Sequence, residues 1–228
     1  MFSIKKCLLL LGLLYLASPM WGQEDLISYW QPGVAINYKV APGYEQNFSL
    51  TKRSFTYQDS QWQFNVRQLD LVHFSKLKLL DNQSVGLGIQ YRFRKTFEPE
   101  RGNELRLTQQ YNITFRPRVV RFGHRIRSEQ RIFKQKTIHR FRYRFALDRP
   151  LIGEQLDIGE PYLVSTLEGL LSAGPGISPQ YDQRIGLNIG WLVSQKSKIQ
   201  AGLEYRREDF TDSGQDLLFL NTSFVLSL

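Results

Sequence analysis

The sequence predicts an all-β protein, a single antiparallel up-and-down transmembrane β-barrel of 10 or 12 strands, formed by residues 23–228 as one domain. Three observations lead there. Apolar and polar side chains alternate along nearly every segment, an export signal opens the chain, and a last apolar strand runs to the final residue. A period of two puts successive side chains on opposite faces, which is the signature of a strand.

The pattern is clearest in Arg121 to Phe145, RFGHRIRSEQRIFKQKTIHRFRYRF. Arg121, Arg125, Arg127, Glu129 and Arg131 alternate with Phe122, Ile126 and Ile132; after Lys134-Gln135-Lys136, Arg140, Arg142 and Arg144 alternate with Phe141, Tyr143 and Phe145. Two such runs around a short polar break predict a hairpin.

The N-terminus, MFSIKKCLLLLGLLYLASPMWGQ, sets Lys5 and Lys6 before an apolar run from Leu8 to Ala17 and reads as a signal peptide over 1–22, cleaved near Gly22 or Gln23. The run is short for a membrane-spanning helix, and no later segment reaches the roughly 20 apolar residues such a helix needs. Cleavage removes Cys7, the only cysteine, so the mature chain has no disulfide. Lys5 and Lys6 leave with it, so 28 basic residues remain against 21 acidic ones, a net charge of +7. Nucleic acid is excluded as a partner, because its binders cluster their cations in one patch. Here the arginines recur at every second position of several strands.

In order, the first strand covers Trp30 to Val40 and breaks at Ala41-Pro42-Gly43. Tyr44 to Tyr57 follows. From Trp62 the alternation shifts phase before Leu69 and Leu71, which predicts a β-bulge near Arg67-Gln68. Leu80 to Gln83 is a turn. Val85 to Arg94 and Glu104 to Arg116 flank a loop at Glu98 to Asn103, and the arginine hairpin comes next. Asp148 to Gly159 reads as a long loop, Tyr162 to Leu171 as a strand interrupted by Glu168, and Ser172 to Pro179 as a second long loop. Strands at Arg184 to Trp191 and Ile199 to Arg206 share the short turn Ser194 to Ser197, and Asp209 to Asp216 is a polar loop before the last strand, Leu218 to Leu228. Eleven segments carry the pattern, whereas single-chain bacterial barrels have an even number of strands and both termini on the periplasmic side. The expectation is therefore ten, with one end segment outside, or twelve, with a strand hidden in Asp148 to Gly159. Counting back from the C-terminus makes Asp209 to Asp216 and Ser172 to Pro179 extracellular.

Magnitude decides which face meets lipid. Arg140, Arg142 and Arg144 facing the bilayer would cost about 2 to 4 kcal/mol each near its midplane. The apolar faces therefore point outward, and Tyr91, Phe93, Phe115 and Trp191 fall near strand ends as an interfacial girdle would.

The Trp-containing first strand, HRIRSEQR, FRYRFALDRPL, EPYLVSTLEGLL and the terminal apolar strand together resemble the outer-membrane β-barrel family known as domain of unknown function 2490, common in Bacteroidota. The resemblance covers the mature chain and is strongest from His124 to Leu171. It implies the outer membrane of a Gram-negative bacterium and supplies no activity.

The candidate site is the inward ionic set: Arg92, Arg94, Arg106, Arg125, Arg127, Glu129, Arg131, Arg140, Arg142, Arg144, Glu168, Arg184, Glu204 and Arg206, with Glu104 and Asp182 as further partners. In a small barrel these residues fill the lumen, Arg–carboxylate forks satisfying one another across strands. The alternative is a narrow anion-selective channel or pocket, because the arginines outnumber the carboxylates. A second alternative is an outer-membrane lipid-modifying enzyme using His124, Ser128 and His139, which share the outward face. Ser128 and His124 lie four residues apart on one strand, roughly 13 Å, too far for proton transfer. Hairpin pairing about Lys134-Gln135 sets His139 opposite Gln130. With no GxSxG elbow, metal-spaced His cluster or phosphate-cradling Gly loop, no catalytic residue, cofactor or metal is assigned. The expected partners are outer-membrane lipid, the barrel-assembly machinery during insertion and, on the anion reading, small anions.

Overall fold

The computed structural model describes residues 26–212 and 214–228, so the expected signal peptide and Cys7 lie outside the described residues. Strands follow one another with no helix between them: β1 (Ile27–Ala41), β2 (Tyr44–Gln58), β3 (Gln61–Trp62), β4 (Val66–Leu80), β5 (Gln83–Phe93), β6 (Glu104–Phe115), β7 (Arg121–Ile132), β8 (Thr137–Pro150), β9 (Pro161–Gly174), β10 (Ile177–Ser194), β11 (Ser197–Glu208) and β12 (Gln215–Ser227). Each pairs with its sequence neighbour, except that β3 is only a two-residue stub on the edge of β2, past which β2 pairs with β4. The remaining eleven close into a barrel, because β1 pairs with β2 on one side and with β12 on the other.

The closing pair is parallel, from Ile27 opposite Leu217 to Asn37 opposite Ser227. Strands that reverse at every turn leave the first and the eleventh running the same way, so an odd barrel closes only through a parallel pair. This corrects the expectation of ten or twelve wall strands with both chain ends at one rim. The eleven alternating segments are the eleven wall strands, and the adjustment to an even number came from a general rule and not from these residues. The start of β1 and the end of β12 lie at opposite rims. The C-terminal rim carries the turns at 42–43, 81–82 and 195–196 and the loops at 116–120 and 151–160; the N-terminal rim carries the other connections.

Local chemistry accounts for most of the irregularities. Arg53 pairs with Gln68 but Ser54 with Val66, which leaves Arg67 as the extra residue of a bulge where the alternation shifts phase. Ser172 to Pro179 is a correction. It is strand on both sides of the two-residue turn Pro175-Gly176, where Gly176 has φ +70°, and the ladder slips between Ile177 and Gln180, at Pro179, which has no N–H to donate. Glu168 does not interrupt β9; it points inward from an unbroken strand. Asp216 belongs to β12 and is buried, where a loop was expected.

Exposure fixes the two faces. Leu87 (65%), Ile126 (61%) and Leu187 (53%) lie on the outside, whereas Glu129 (1%), Arg106 (7%) and Arg184 (8%) lie inside. The wall is thus apolar outward and ionic inward, the reverse of a water-soluble barrel. Aromatic residues gather on the outer surface near both rims: Tyr91 against Phe93 at one, and Phe115, His124, Tyr143 and Phe145 at the other.

Among the described residues a buried apolar cluster sits inside the closing seam, where Tyr29 of β1 meets Leu217 and Phe219 of β12, with partly buried Phe55 of β2 packed against it. Tyr29 stacks on Phe219 at 4.9 Å, and the guanidinium of Arg206 lies 3.7 Å from the Phe219 ring centre. Arg53 covers Phe219 from 4.7 Å, and Arg67 covers Tyr29 from 5.0 Å while bonding to its hydroxyl.

Candidate functional site

Because i and i+2 share a face, each inward strand delivers a short ionic phrase to the lumen: Gln68-x-Asp70, Glu104-x-Arg106, Arg127-x-Glu129, Arg142-x-Arg144, Asp182-x-Arg184 and Glu204-x-Arg206. Register sets these phrases side by side and joins them into one zigzag. Arg92 forks onto Asp70, its Nε and Nη2 each 2.8 Å from a carboxylate oxygen, and reaches Glu104 at 3.4 Å. Glu104 also accepts from Arg106 (Nη2, 2.6 Å) and Arg131 (Nε, 2.8 Å). Arg106 continues to Glu129 at 3.7 Å, and Glu129 accepts from Arg142 at 3.0 Å and Arg127 at 3.5 Å. Arg142 reaches Glu168 at 2.6 Å; Glu168 also faces Arg144 at 3.5 Å and Arg184 at 4.0 Å, and Arg184 lies 3.9 Å from Asp182. The path runs unbroken from β4 to β10.

The other expected site residues divide by position. Arg206 and Glu204 pair on β11 at 2.5 Å, beside the seam cluster. Arg94 lies beyond the end of β5 in the N-terminal rim loop, bonded to Glu98 at 2.5 Å, and so stands outside the lumen network. Arg140 and Arg125 have no carboxylate within 4 Å among the described residues: Arg140 donates to Ser172 Oγ at 2.9 Å and Arg125 to Asn112 Oδ1 at 2.7 Å. Asp70 and Asp216 were missed. Asp70 was legible, since Leu69 and Leu71 flank it and point it inward. Asp216, 2.5 Å from Arg207, lies in β12 and not in the loop that its polar neighbours predict.

The network occupies the half of the lumen toward the N-terminal rim. Toward the C-terminal rim the barrel widens into a vestibule of about 1200 Å³. Its wall includes Ser84, Gln110, Asn112, Arg125, Arg144, Tyr162 and Gln200, and the 151–160 loop reaches its mouth through Gln155 and Leu156. Three carboxylates line it, and each has a cation beside it: Glu45 with Lys76 at 3.0 Å, Asp81 with Lys78 at 2.8 Å and Asp148 with Arg121 at 2.6 Å. Lys78 holds the Asp81 carboxyl in its turn below the ordinary value through that hydrogen bond and its charge.

On the outer face His139 pairs with Gln130, as the hairpin predicted, and Ser128 accepts from Gln130 Nε2 at 3.3 Å. His124 bonds through Nδ1 to the Tyr143 hydroxyl at 2.8 Å, and among the described residues neither histidine hydrogen-bonds to Ser128.

A closed barrel with an apolar outer wall and buried charged residues defines the class, a membrane-spanning β-barrel. The chain belongs to the family "Protein of unknown function (DUF2490)", whose model matches residues 28–216. Comparison with curated proteins finds no match. Among solved structures the chain is similar to the anion-selective porin from Comamonas acidovorans, at 13% identity and a TM-score of 0.38, over 82% of this chain and 53% of that one. The chain thus spans about half the length of that porin.

Proposed function

We propose that this protein is an outer-membrane barrel whose lumen is closed by its own Arg–carboxylate network, serving as a structural or scaffold barrel in the lipid and neither as an open pore nor as an enzyme. The supporting observation is the continuous path Asp70–Arg92–Glu104–Arg106–Glu129–Arg142–Glu168–Arg184–Asp182, whose side chains are each no more than 14% exposed. An aqueous passage would leave such groups hydrated. Ion pairs of this density instead exchange water for one another, each guanidinium fork matching a carboxylate. The apolar outer wall supports membrane residence, and assembly there calls for the barrel-assembly machinery.

Single-channel recording in planar bilayers tests the closed lumen, with no stepwise current as the expected result. Anion-selective current that falls in Arg142→Ala would make the arginines a pore lining and overturn the reading. Retention of the mature chain in the soluble fraction without detergent would overturn the membrane location. Phospholipid hydrolysis lost in Ser128→Ala would replace the scaffold with an enzyme.

A further inference from the structure

The vestibule carries an imbalance that the closed lumen does not explain. Arg125 of β7 and Arg144 of β8 stand directly opposite one another in the ladder, and both line the cavity. Like charges directly opposite on neighbouring strands are destabilising. Among the described residues Arg125 has only the neutral Asn112 as acceptor. Arg144 faces Glu168 at 3.5 Å, but that carboxylate is already bound by Arg142 at 2.6 Å, and Arg144 Nε is buried without a hydrogen-bond partner. The vestibule's own carboxylates do not relieve the pair, since each sits beside a rim cation. At the floor of this polar cup, therefore, Arg125 has no carboxylate within 4 Å among the described residues and Arg144 has only a share of Glu168, so the two guanidiniums carry less than one counter-charge between them.

We propose that this floor is a binding site for a phosphate dianion, either inorganic phosphate or a small phosphate monoester, held between Arg125 and Arg144. The charge match selects the class. One unpaired cation beside one that only shares a carboxylate calls for a ligand of more than a single negative charge, which a phosphate monoester carries near neutral pH and a carboxylate or phosphodiester does not. Planar guanidiniums can each present two parallel N–H donors to a pair of phosphate oxygens. The cavity has room for an organic group on the ester side, where Gln200 and Tyr162 line the wall. The site rests on the closed lumen, which makes the vestibule a cup.

The test is calorimetric titration of the detergent-solubilised full-length mature protein at pH 8 and constant ionic strength, with inorganic phosphate, glycerol phosphate and dimethyl phosphate as probes. The two dianions are expected to bind at least about tenfold more tightly than the monoanionic diester, and Arg125→Gln and Arg144→Gln each to weaken them by about tenfold or more. Arg94→Gln, at the far rim, should leave binding unchanged. Tightest binding of glycerol phosphate would identify a monoester as the ligand, and of inorganic phosphate the free ion. Should Arg125→Gln fail to fold, as judged by heat-modifiable gel mobility, Arg125→Lys keeps the charge without the fork and should fold with weakened binding. Equal affinity for the diester, no binding in wild type, or losses matched by Arg94→Gln would overturn the site. Bilayer current separates the two readings: conducting protein sinks the closed lumen, whereas non-conducting protein without phosphate affinity sinks the site alone.

Discussion

Arg142 and Glu168 meet diagonally across β8 and β9, Nη2 to Oε2 at 2.6 Å, while the other arm of Arg142 holds Glu129 at 3.0 Å. One guanidinium thus joins two carboxylates that each serve further arginines. Removing Glu168 takes one of two carboxylates from Arg142 and from Arg184 and leaves buried Arg144 with no carboxylate within 4 Å among the described residues. Glu168→Ala should destabilise the barrel by about 3 to 5 kcal/mol, because an unpaired buried charge costs far more than the pair contributed. Removing Glu45 from its half-exposed pair with Lys76 should cost about 1 kcal/mol or less. Urea unfolding in vesicles compares the two directly.

The parallel seam depends on its aromatic cluster. Phe219 is fully buried, stacked on Tyr29 and capped by Arg206 and Arg53. Phe219→Ala should cost about 3 to 5 kcal/mol and give faster hydrogen exchange in β1 and β12 than in β6 and β7, as mass spectrometry of peptides from each strand would read.

Gly190 faces Tyr162 across β9 and β10, and a Cβ there would fall inside the tyrosine ring's contact radius. Gly190→Ala should cost about 1 to 3 kcal/mol by overpacking. In a Tyr162→Ala background Gly190→Ala should cost much less than it does with Tyr162 present, a non-additivity that a double-mutant cycle measures.

Leu187 lies in the middle of β10 on the outer wall. Leu187→Arg should cost about 2 to 4 kcal/mol when the barrel is folded into a bilayer. Asn188→Ser, one position along and inward, should change stability little by comparison.

The three two-residue turns of the C-terminal rim are short in the way periplasmic turns are. In cells, a membrane-impermeant maleimide should label Asp212→Cys at the opposite rim and spare Gln195→Cys until the outer membrane is opened. The reverse pattern would invert the orientation.

Much of this architecture was legible because a strand's two faces are written at a spacing of two. That spacing was enough to find all eleven wall strands, the bulge at Arg67, the His139–Gln130 pairing and the inward direction of Arg125, Arg127, Arg142 and Arg144. Where the pattern was thin it misled. Ser172 to Pro179 looked like a loop for its glycines and prolines, although one two-residue turn absorbs them. Arg94 kept the right phase but fell one residue beyond the end of its strand.

What the sequence determined by itself is parity, which residues face lipid and which face the lumen, since that depends only on neighbours along the chain. The tertiary structure decided which charges meet. Arg142 could have matched any inward carboxylate on a flanking strand, and only the register of β7, β8 and β9 brings it to both Glu129 and Glu168. The same register sets Arg125 against Arg144 with no carboxylate to spare, and the odd strand count turns the closing pair parallel. Register and closure join residues far apart in the chain, and no local alternation encodes them.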